Sequence, residues 1–167
     1  SKSENKFEET SLGEVLNTVK QDIELLLEEK KAVIKTGELP VVSGIRQQLY
    51  QLFYNLINNS IKFSTTEPVI TIQHRFLSAD EIKSTPGLHN GTPYVELRFK
   101  DNGIGFEQKH ARQIFTIFKR LNSRESYAGT GIGLALCKKI VDNHHGLISA
   151  HSAEGEGAEF VLVLPQR

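Results

Sequence analysis

The sequence contains no methionine, no tryptophan and a single cysteine, Cys137, and its apolar runs are short. One cysteine cannot form an internal disulfide, which fits a reducing compartment, so we expect a cytoplasmic location. No run approaches the roughly 18 apolar residues of a membrane span, so we expect no direct membrane contact. Because a natural gene product begins with methionine, its absence suggests a fragment of a longer parent protein, which could itself be membrane-anchored.

The charges balance, with 20 Lys and Arg against 20 Asp and Glu. Zero net charge disfavours broad electrostatic binding to nucleic acid or anionic lipid. A length of 167 residues suits one domain, and a hydrophobic content of 38% is enough for a core. We therefore expect one globular domain over residues 11–167, monomeric in isolation, after a polar lead-in over 1–10.

Helical periodicity of apolar residues marks three long segments. Ser11 begins a capping-box pattern, and apolar residues then recur at helical spacing to about Lys30. Ser43 is a plausible N-cap for a second helix that reaches about Phe63. A third helix is predicted over 132–144.

Strands alternate with these helices. They are predicted over 32–35, 69–76, 94–100, 147–153 and 158–164. A short helix is predicted over 107–118, followed by a polar, turn-rich loop. This order predicts an α+β fold, an α/β sandwich in which helices cover one face of a mixed sheet.

Asn55, Asn59 and Lys62 follow one another at helical spacing and line one narrow stripe of the second helix. Asparagine is a poor helix former, so two of them in mid-helix need a reason. Amide oxygens suit Mg²⁺, and Lys offers a point charge to phosphate. The alternative is a solvated face with two incidental Asn residues.

Two glycine-rich turns stand next to regular elements. Asp101 ends a predicted strand and is followed by Gly103 and Gly105, which would let the backbone approach a ligand closely. The alternative for this segment is a strand-to-helix turn. Residues 129–134 open the third helix, where free amides and glycines form an anion site; an ordinary glycine-rich turn is the alternative.

Five segments in this order and spacing resemble the ATP-binding domain of sensor histidine kinases, in the superfamily shared with gyrase, heat-shock chaperone and mismatch-repair ATPases. Residues 55–63 resemble its N box, 101–105 its G1 box and 115–118 its F box. Residues 129–134 resemble the G2 box, and 155–160 the closing glycine motif. The resemblance covers essentially residues 11–165 and implies the superfamily's α/β sandwich, with ATP and Mg²⁺ as ligands.

The resemblance also implies a role for each polar residue. Asp101 would bind the adenine amine. Asn59 would coordinate Mg²⁺, with Asn55 supporting the same site. Lys62 and Arg120 would contact the phosphates.

Other roles belong to groups of residues. The glycines that would present backbone amides to phosphate are Gly129, Gly131 and Gly133. Residues 119–129 would form a lid, hinged near Phe115 and Phe118. The side chains that we expect to line the base pocket, from their positions, are Phe63, Ile104 and Leu134.

The chain departs from the family pattern at two points. Ser60 replaces the usual Ala after Asn59, and we expect little effect. No histidine stands in the family's phosphoacceptor box, so we interpret all six as ordinary surface or packed residues: His74, His89, His110, His144, His145 and His151. The resemblance therefore implies an acceptor histidine on a dimerisation domain of the same parent protein, and a response regulator as a further partner.

Three alternative functions remain open on the sequence. Hydrolytic members of the superfamily, and its serine kinases, have Glu four residues before the metal-binding Asn. This chain has Asn55 there, and an amide cannot act as a base, which favours the histidine kinase over the ATPase and the protein-serine kinase. A degenerate module that binds nucleotide or only a partner is the third alternative, and the intact Asn59 and Asp101 argue against it.

Overall fold

A computed structural model describes residues 6–116 and 133–167. Its main sheet has five strands in the order β2-β4-β5-β7-β6, and only the β2–β4 pair is parallel. These strands are β2 (Val33–Thr36), β4 (Val69–Phe76), β5 (Tyr94–Asp101), β6 (Leu147–Ser152) and β7 (Ala158–Pro165). A separate two-stranded sheet pairs β1 (Glu8–Ser11) with β3 (Val41–Gly44).

Helices pack on the main sheet. They are α1 (Leu12–Asp22), α2 (Glu24–Lys30), α3 (Arg46–Lys62), α4 (Ala79–Ser84) and α5 (Gly133–Asn143). The core lies between one sheet face and α1, α3 and α5, where Phe53 meets Phe99 edge to face at 5.1 Å. The predicted α+β class, the mixed sheet and its helical layer are thus confirmed. None of the helices in the described ranges is long and apolar enough to cross a membrane.

The opposite sheet face carries charge pairs and one short helix. Glu96 is buried and accepts hydrogen bonds from Arg75 at 3.0 Å and Arg98 at 2.7 Å. Nearby, α4 packs Ile82 against this face. Helix α4 was not predicted from the sequence, although Ser78 and Glu81 form a complete capping box at its start. The helix has only six residues, too short for a periodic apolar signal.

One predicted helix length and one predicted helix start were wrong, whereas the predicted N-cap Ser11 is confirmed. The helix from Ser11 divides at Ile23 into α1 and α2. Ser43 is not an N-cap, because it lies in β3 opposite Glu9 of β1. The N-cap of α3 is Ile45, which has no side-chain cap of its own. Strand pairing with a distant segment determined the conformation at Ser43, and local sequence does not report such pairing.

Two further expectations need correction. The lead-in over 1–10 is partly incorporated in the fold, since β1 starts at Glu8 and pairs with β3. In place of a helix over 107–118, the described part of this segment forms two 3₁₀ turns, Gln108–His110 and Gln113–Phe115. The first turn is held to the edge strand by the Gln108 amide, which bonds the backbone of Ala150 and Ser152. The Gln108 side chain thus bonds to β6 as a neighbouring strand would. These bonds hold the segment in place without an α-helix.

Candidate functional site

The carboxylate of Asp101 lies at the end of β5 and is 8% exposed. Its Oδ1 accepts hydrogen bonds from the backbone N–H of Gly103 at 2.8 Å and of Ala158 at 3.1 Å. Its Oδ2 accepts one from the hydroxyl of Ser60 at 2.8 Å. Asp101 therefore joins three parts of the chain: α3, the turn after β5 and the start of β7.

Glycines crowd around this carboxylate. A Cβ on Gly103 would lie 2.7 Å from the carbonyl oxygen of Phe63 and 3.0 Å from Oδ1 of Asp101. Gly157 has a φ of +81°, and a Cβ there would collide with the carbonyl oxygen of Asp101. A side chain at either position would displace the carboxylate or its supports, so the shape of the site depends on glycine.

Asn55 connects α3 to the first residue of α5. Its Oδ1 accepts a hydrogen bond from the Gln51 amide at 2.8 Å, and its Nδ2 donates to the carbonyl oxygen of Gly133 at 3.4 Å. The amide is thus held between two helices. It fixes the position of Gly133, the first residue of α5.

Asn59 and Lys62 lie on the same stripe of α3 as Asn55, nearer the C-terminal end of the helix. Asn59 is half-buried and Lys62 is exposed. Lys62 is also the basic residue in the last turn of α3. Neither side chain is fully buried, so both residues are available to a ligand that lies against this end of the helix.

The predicted base-pocket residues are all half-buried. Phe63 and Ile104 are neighbours, because the Ile104 N–H donates to the Phe63 carbonyl oxygen at 2.9 Å. Leu134, in the first turn of α5, packs against the main core cluster. The turn after β5 is held further where the Gly155 N–H donates to the Ile104 carbonyl. Gly105 has a φ of +69°, and a Cβ there would collide with the carbonyl of Ala153.

Several predicted residues lie outside the described ranges. They are Arg120, Gly129, Gly131 and Phe118, with the whole proposed lid over 119–129. Phe115, the other expected hinge residue, is described; its ring meets Phe160 edge to face at 6.3 Å.

Burial suppresses the reactivity of the cysteine near the site. Desolvation raises the pKa of the Cys137 thiol to about 12, although a hydrogen bond with Asn55 opposes the shift. A thiol with so high a pKa stays protonated and is a poor nucleophile. Cys137 therefore belongs to the core, as expected for a small buried residue.

Two parts of the site, Ser60 and Ala158, were not predicted from the sequence. Ala158 contributes only its backbone N–H and carries no sequence signal. Ser60 did carry one, because it follows Leu56 by one helical turn on the buried stripe of α3. A hydroxyl on a buried apolar face needs a hydrogen-bond partner, and here the partner is Asp101.

Residues 44–167 match the family described as "Histidine kinase-, DNA gyrase B-, and HSP90-like ATPase". Cyanobacterial phytochrome A of Nostoc is 36% identical over 163 residues, 95% of this chain and 19% of that protein. The phytochrome-like protein Cph1 of Synechocystis is 37% identical over 93% of this chain and 19% of its own length. The chain thus spans about a fifth of the length of these relatives.

Solved structures show the same fold. The catalytic domain of histidine kinase ThkA superposes with a TM-score of 0.74 at 23% identity, covering 96% of each chain. The mycobacterial sensor histidine kinase MprB superposes with a TM-score of 0.73 at 21% identity, covering 96% of this chain and 98% of that one. Both fits cover 96% of this chain, so the expected sandwich extends over nearly all of it.

Proposed function

Since the chain belongs to the histidine kinase-, DNA gyrase B- and HSP90-like ATPase family and is an ATP-binding catalytic domain of the sensor histidine kinase type, we propose that it transfers the γ-phosphoryl group of ATP to a histidine. The acceptor lies on a dimerisation domain of the same parent protein. A response regulator receives the phosphoryl group next, as the structural neighbour described as histidine kinase ThkA in complex with response regulator protein TrrA suggests. The domain acts in the cytoplasm.

The carboxylate of Asp101 carries this proposal. A carboxylate oxygen has two acceptor positions. Both positions of Oδ1 are filled by backbone N–H groups, whereas Oδ2 has one donor, Ser60, among the described residues. The second position of Oδ2 suits the exocyclic amine of adenine. Gly103 and Gly105 let the turn after β5 lie close to the backbone of Phe63 and Ala153. The half-buried Phe63, Ile104 and Leu134 would supply apolar surface for the base.

The α3 stripe suits the phosphate end of the nucleotide. Asn59 offers a half-buried amide oxygen to Mg²⁺, and Asn55 supports it while holding α5 in place. Bound Mg²⁺ would neutralise charge on the phosphates. Lys62 and Arg120 would add positive charge, and Gly129, Gly131 and Gly133 would donate backbone N–H groups.

The residues around α3 fit transfer to histidine better than hydrolysis. A histidine imidazole is already nucleophilic, so transfer to it needs mainly positioning and charge neutralisation. Hydrolysis needs a base for water, and the position four residues before Asn59 holds an amide. That amide, Asn55, already contacts Gln51 and Gly133. It holds two helices together and has no basic group to offer.

The test uses labelled ATP and Mg²⁺. Alone, the chain should neither label itself nor hydrolyse ATP quickly. With its cognate dimerisation domain added, label should appear on a histidine of that domain in an acid-labile, base-stable linkage. Tethering the two domains should raise the rate through effective concentration.

Three results would contradict the proposal. Fast ATP turnover by the isolated chain would assign it to the ATPases. Acid-stable label on a partner's serine would assign it to the serine kinases. If the chain failed to bind ATP in the presence of Mg²⁺, it would be a degenerate module without kinase activity.

A further inference from the structure

Ser60 is a polar residue on the apolar face of α3. It is 3% exposed, and the residues one turn before it and next to it, Leu56 and Ile61, belong to the core. Its hydroxyl donates to Oδ2 of Asp101 at 2.8 Å, across 41 positions of the chain. This hydrogen bond joins α3 to Asp101 at the end of β5. Because serine is nearly as small as the usual alanine, we had expected the replacement to have little effect.

The contact completes the restraint of the carboxylate. Two backbone N–H groups hold Oδ1, but two bonds to one oxygen leave the carboxylate able to pivot about it. The third donor, on the other oxygen, removes that freedom. With 8% of Asp101 exposed, little water is available to replace a lost donor.

We propose that Ser60 is a positioning residue for base recognition: its hydroxyl fixes Oδ2 of Asp101 so that one acceptor position of that oxygen serves the exocyclic amine of adenine. The proposal rests on the proposed function, in which Asp101 binds this amine. Ser60 acts through Asp101, so its effect depends on whether the ligand carries the amine. A serine that only filled space in the core would influence all nucleotides equally.

The experiment compares ATP with purine riboside triphosphate, which lacks the 6-amino group, by calorimetric titration of the full chain and of Ser60→Ala. Alanine is smaller and a better helix former, so the fold should persist, and thermal unfolding checks this. ATP should bind the variant about three- to tenfold more weakly, the size of one modest hydrogen bond. Affinity for the analogue should change by less than about twofold.

Ser64→Ala is the matched control. It removes a hydroxyl just beyond the end of α3, where the partner is the Thr66 carbonyl rather than Asp101. Both nucleotides should bind this variant as they bind the parent chain.

The outcomes separate this inference from the proposed function. Equal weakening of both nucleotides by Ser60→Ala, or no weakening of either, would overturn the role of Ser60 while the adenine site stands. If the parent chain bound ATP and the analogue equally, the assignment of Asp101 itself would fail. ATP weakened and the analogue unchanged would establish Ser60 as the residue that holds the carboxylate.

Discussion

The side chain of His144 caps the start of α3: its Nε2 accepts a hydrogen bond from the backbone N–H of Ile45 at 3.0 Å, across 99 positions of the chain. Its Nδ1 donates to the carbonyl oxygen of Ile140 at 2.8 Å. His144 is 1% exposed. One neutral imidazole thus links the end of α5 to the beginning of the helix that carries the N box.

This link should make stability fall in acid. Burial is the main cause that lowers the pKa of His144 below its ordinary value of 6.5; His145 lowers it further, and the bond to Ile140 opposes the shift. As the pH falls below about 6.5, the unfolded chain binds a proton that the folded chain does not, so the free energy of unfolding decreases until the folded pKa is passed. Urea unfolding from about pH 7.5 to 5 measures this.

In His144→Gln the dependence on pH should be shallower over that range, because the titrating group is gone. The exposed His151 provides the control, and His151→Gln should keep the slope of the parent chain. An unchanged slope in His144→Gln would show that other groups govern the acid response.

Asp101→Asn should change base preference. The backbone N–H groups of Gly103 and Ala158 require an acceptor at Oδ1, so the new amide must place its NH₂ at the Oδ2 position. There it donates to the Ser60 oxygen and to a ligand acceptor, which matches the 6-oxo group of inosine triphosphate. The ratio of ATP to inosine triphosphate affinity should fall by about tenfold or more in calorimetric titration.

Asp101→Ala is the control for Asp101→Asn, because it removes the acceptor without adding an amide. It should weaken ATP by about 10- to 100-fold through loss of a charge-assisted hydrogen bond, with no gain for inosine triphosphate. If the ratio of ATP to inosine triphosphate affinity were the same in Asp101→Asn as in the parent chain, the new amide would not have the orientation that the two backbone donors require.

Asn59→Ala should weaken the part of ATP binding that depends on Mg²⁺. We expect a loss of about 10- to 100-fold with Mg²⁺ and little change without it, since loss of groups around a metal commonly costs that much. Asn58→Ala is a matched control, half-buried like Asn59 but rotated by about 100° on the same helix. Titration with and without the metal is the measurement. If the two variants respond alike, Asn59 is no ligand.

Alanine substitutions at Gly155 and Gly157 distinguish the cost of a positive φ from the cost of a steric clash at the site. Both have positive φ, +78° and +81°, so alanine at either should cost about 1–2 kcal/mol of stability. A Cβ on Gly155 meets nothing within 4 Å, whereas on Gly157 it collides with the Asp101 backbone. Gly157→Ala should therefore be about 1–3 kcal/mol less stable than Gly155→Ala in urea unfolding, and it alone should weaken ATP binding. If the two variants lost the same stability and the same ATP affinity, the backbone around Asp101 would accommodate the added Cβ without cost.

Much of the fold follows from local patterns. The regular alternation of Val95, Leu97 and Phe99 predicted β5, and the structure places all three in the core. The continuous apolar run over 160–164 predicted a strand buried on both faces, and every residue of it is buried in β7. Such patterns suffice where burial of one element's face determines its conformation.

Long-range contacts account for what the sequence did not predict. Ser43 has the chemistry of an N-cap, but β1 pairs with it, and the cap comes from His144 instead. The break at Ile23 is invisible to periodicity because Val19, Ile23 and Leu27 continue one stripe across it. In the site, residue types indicated Asn55 and Asp101, but only the folded chain shows their partners.

The hydrogen bonds to the Asp101 carboxylate also constrain the order in which parts of the protein can fold. Two of the three donors to its carboxylate, the Ser60 hydroxyl and the Ala158 backbone N–H, come from 41 residues before it and 57 residues after it. β7 follows β6 in the chain but lies between β5 and β6, so β6 joins the main sheet only through β7. Closing such long loops is slow relative to forming helices. A refolding chain can therefore form its helices early, but the donors around Asp101 are complete only when β7 has paired with β5. Recovery of nucleotide binding should then be slower than recovery of helical structure.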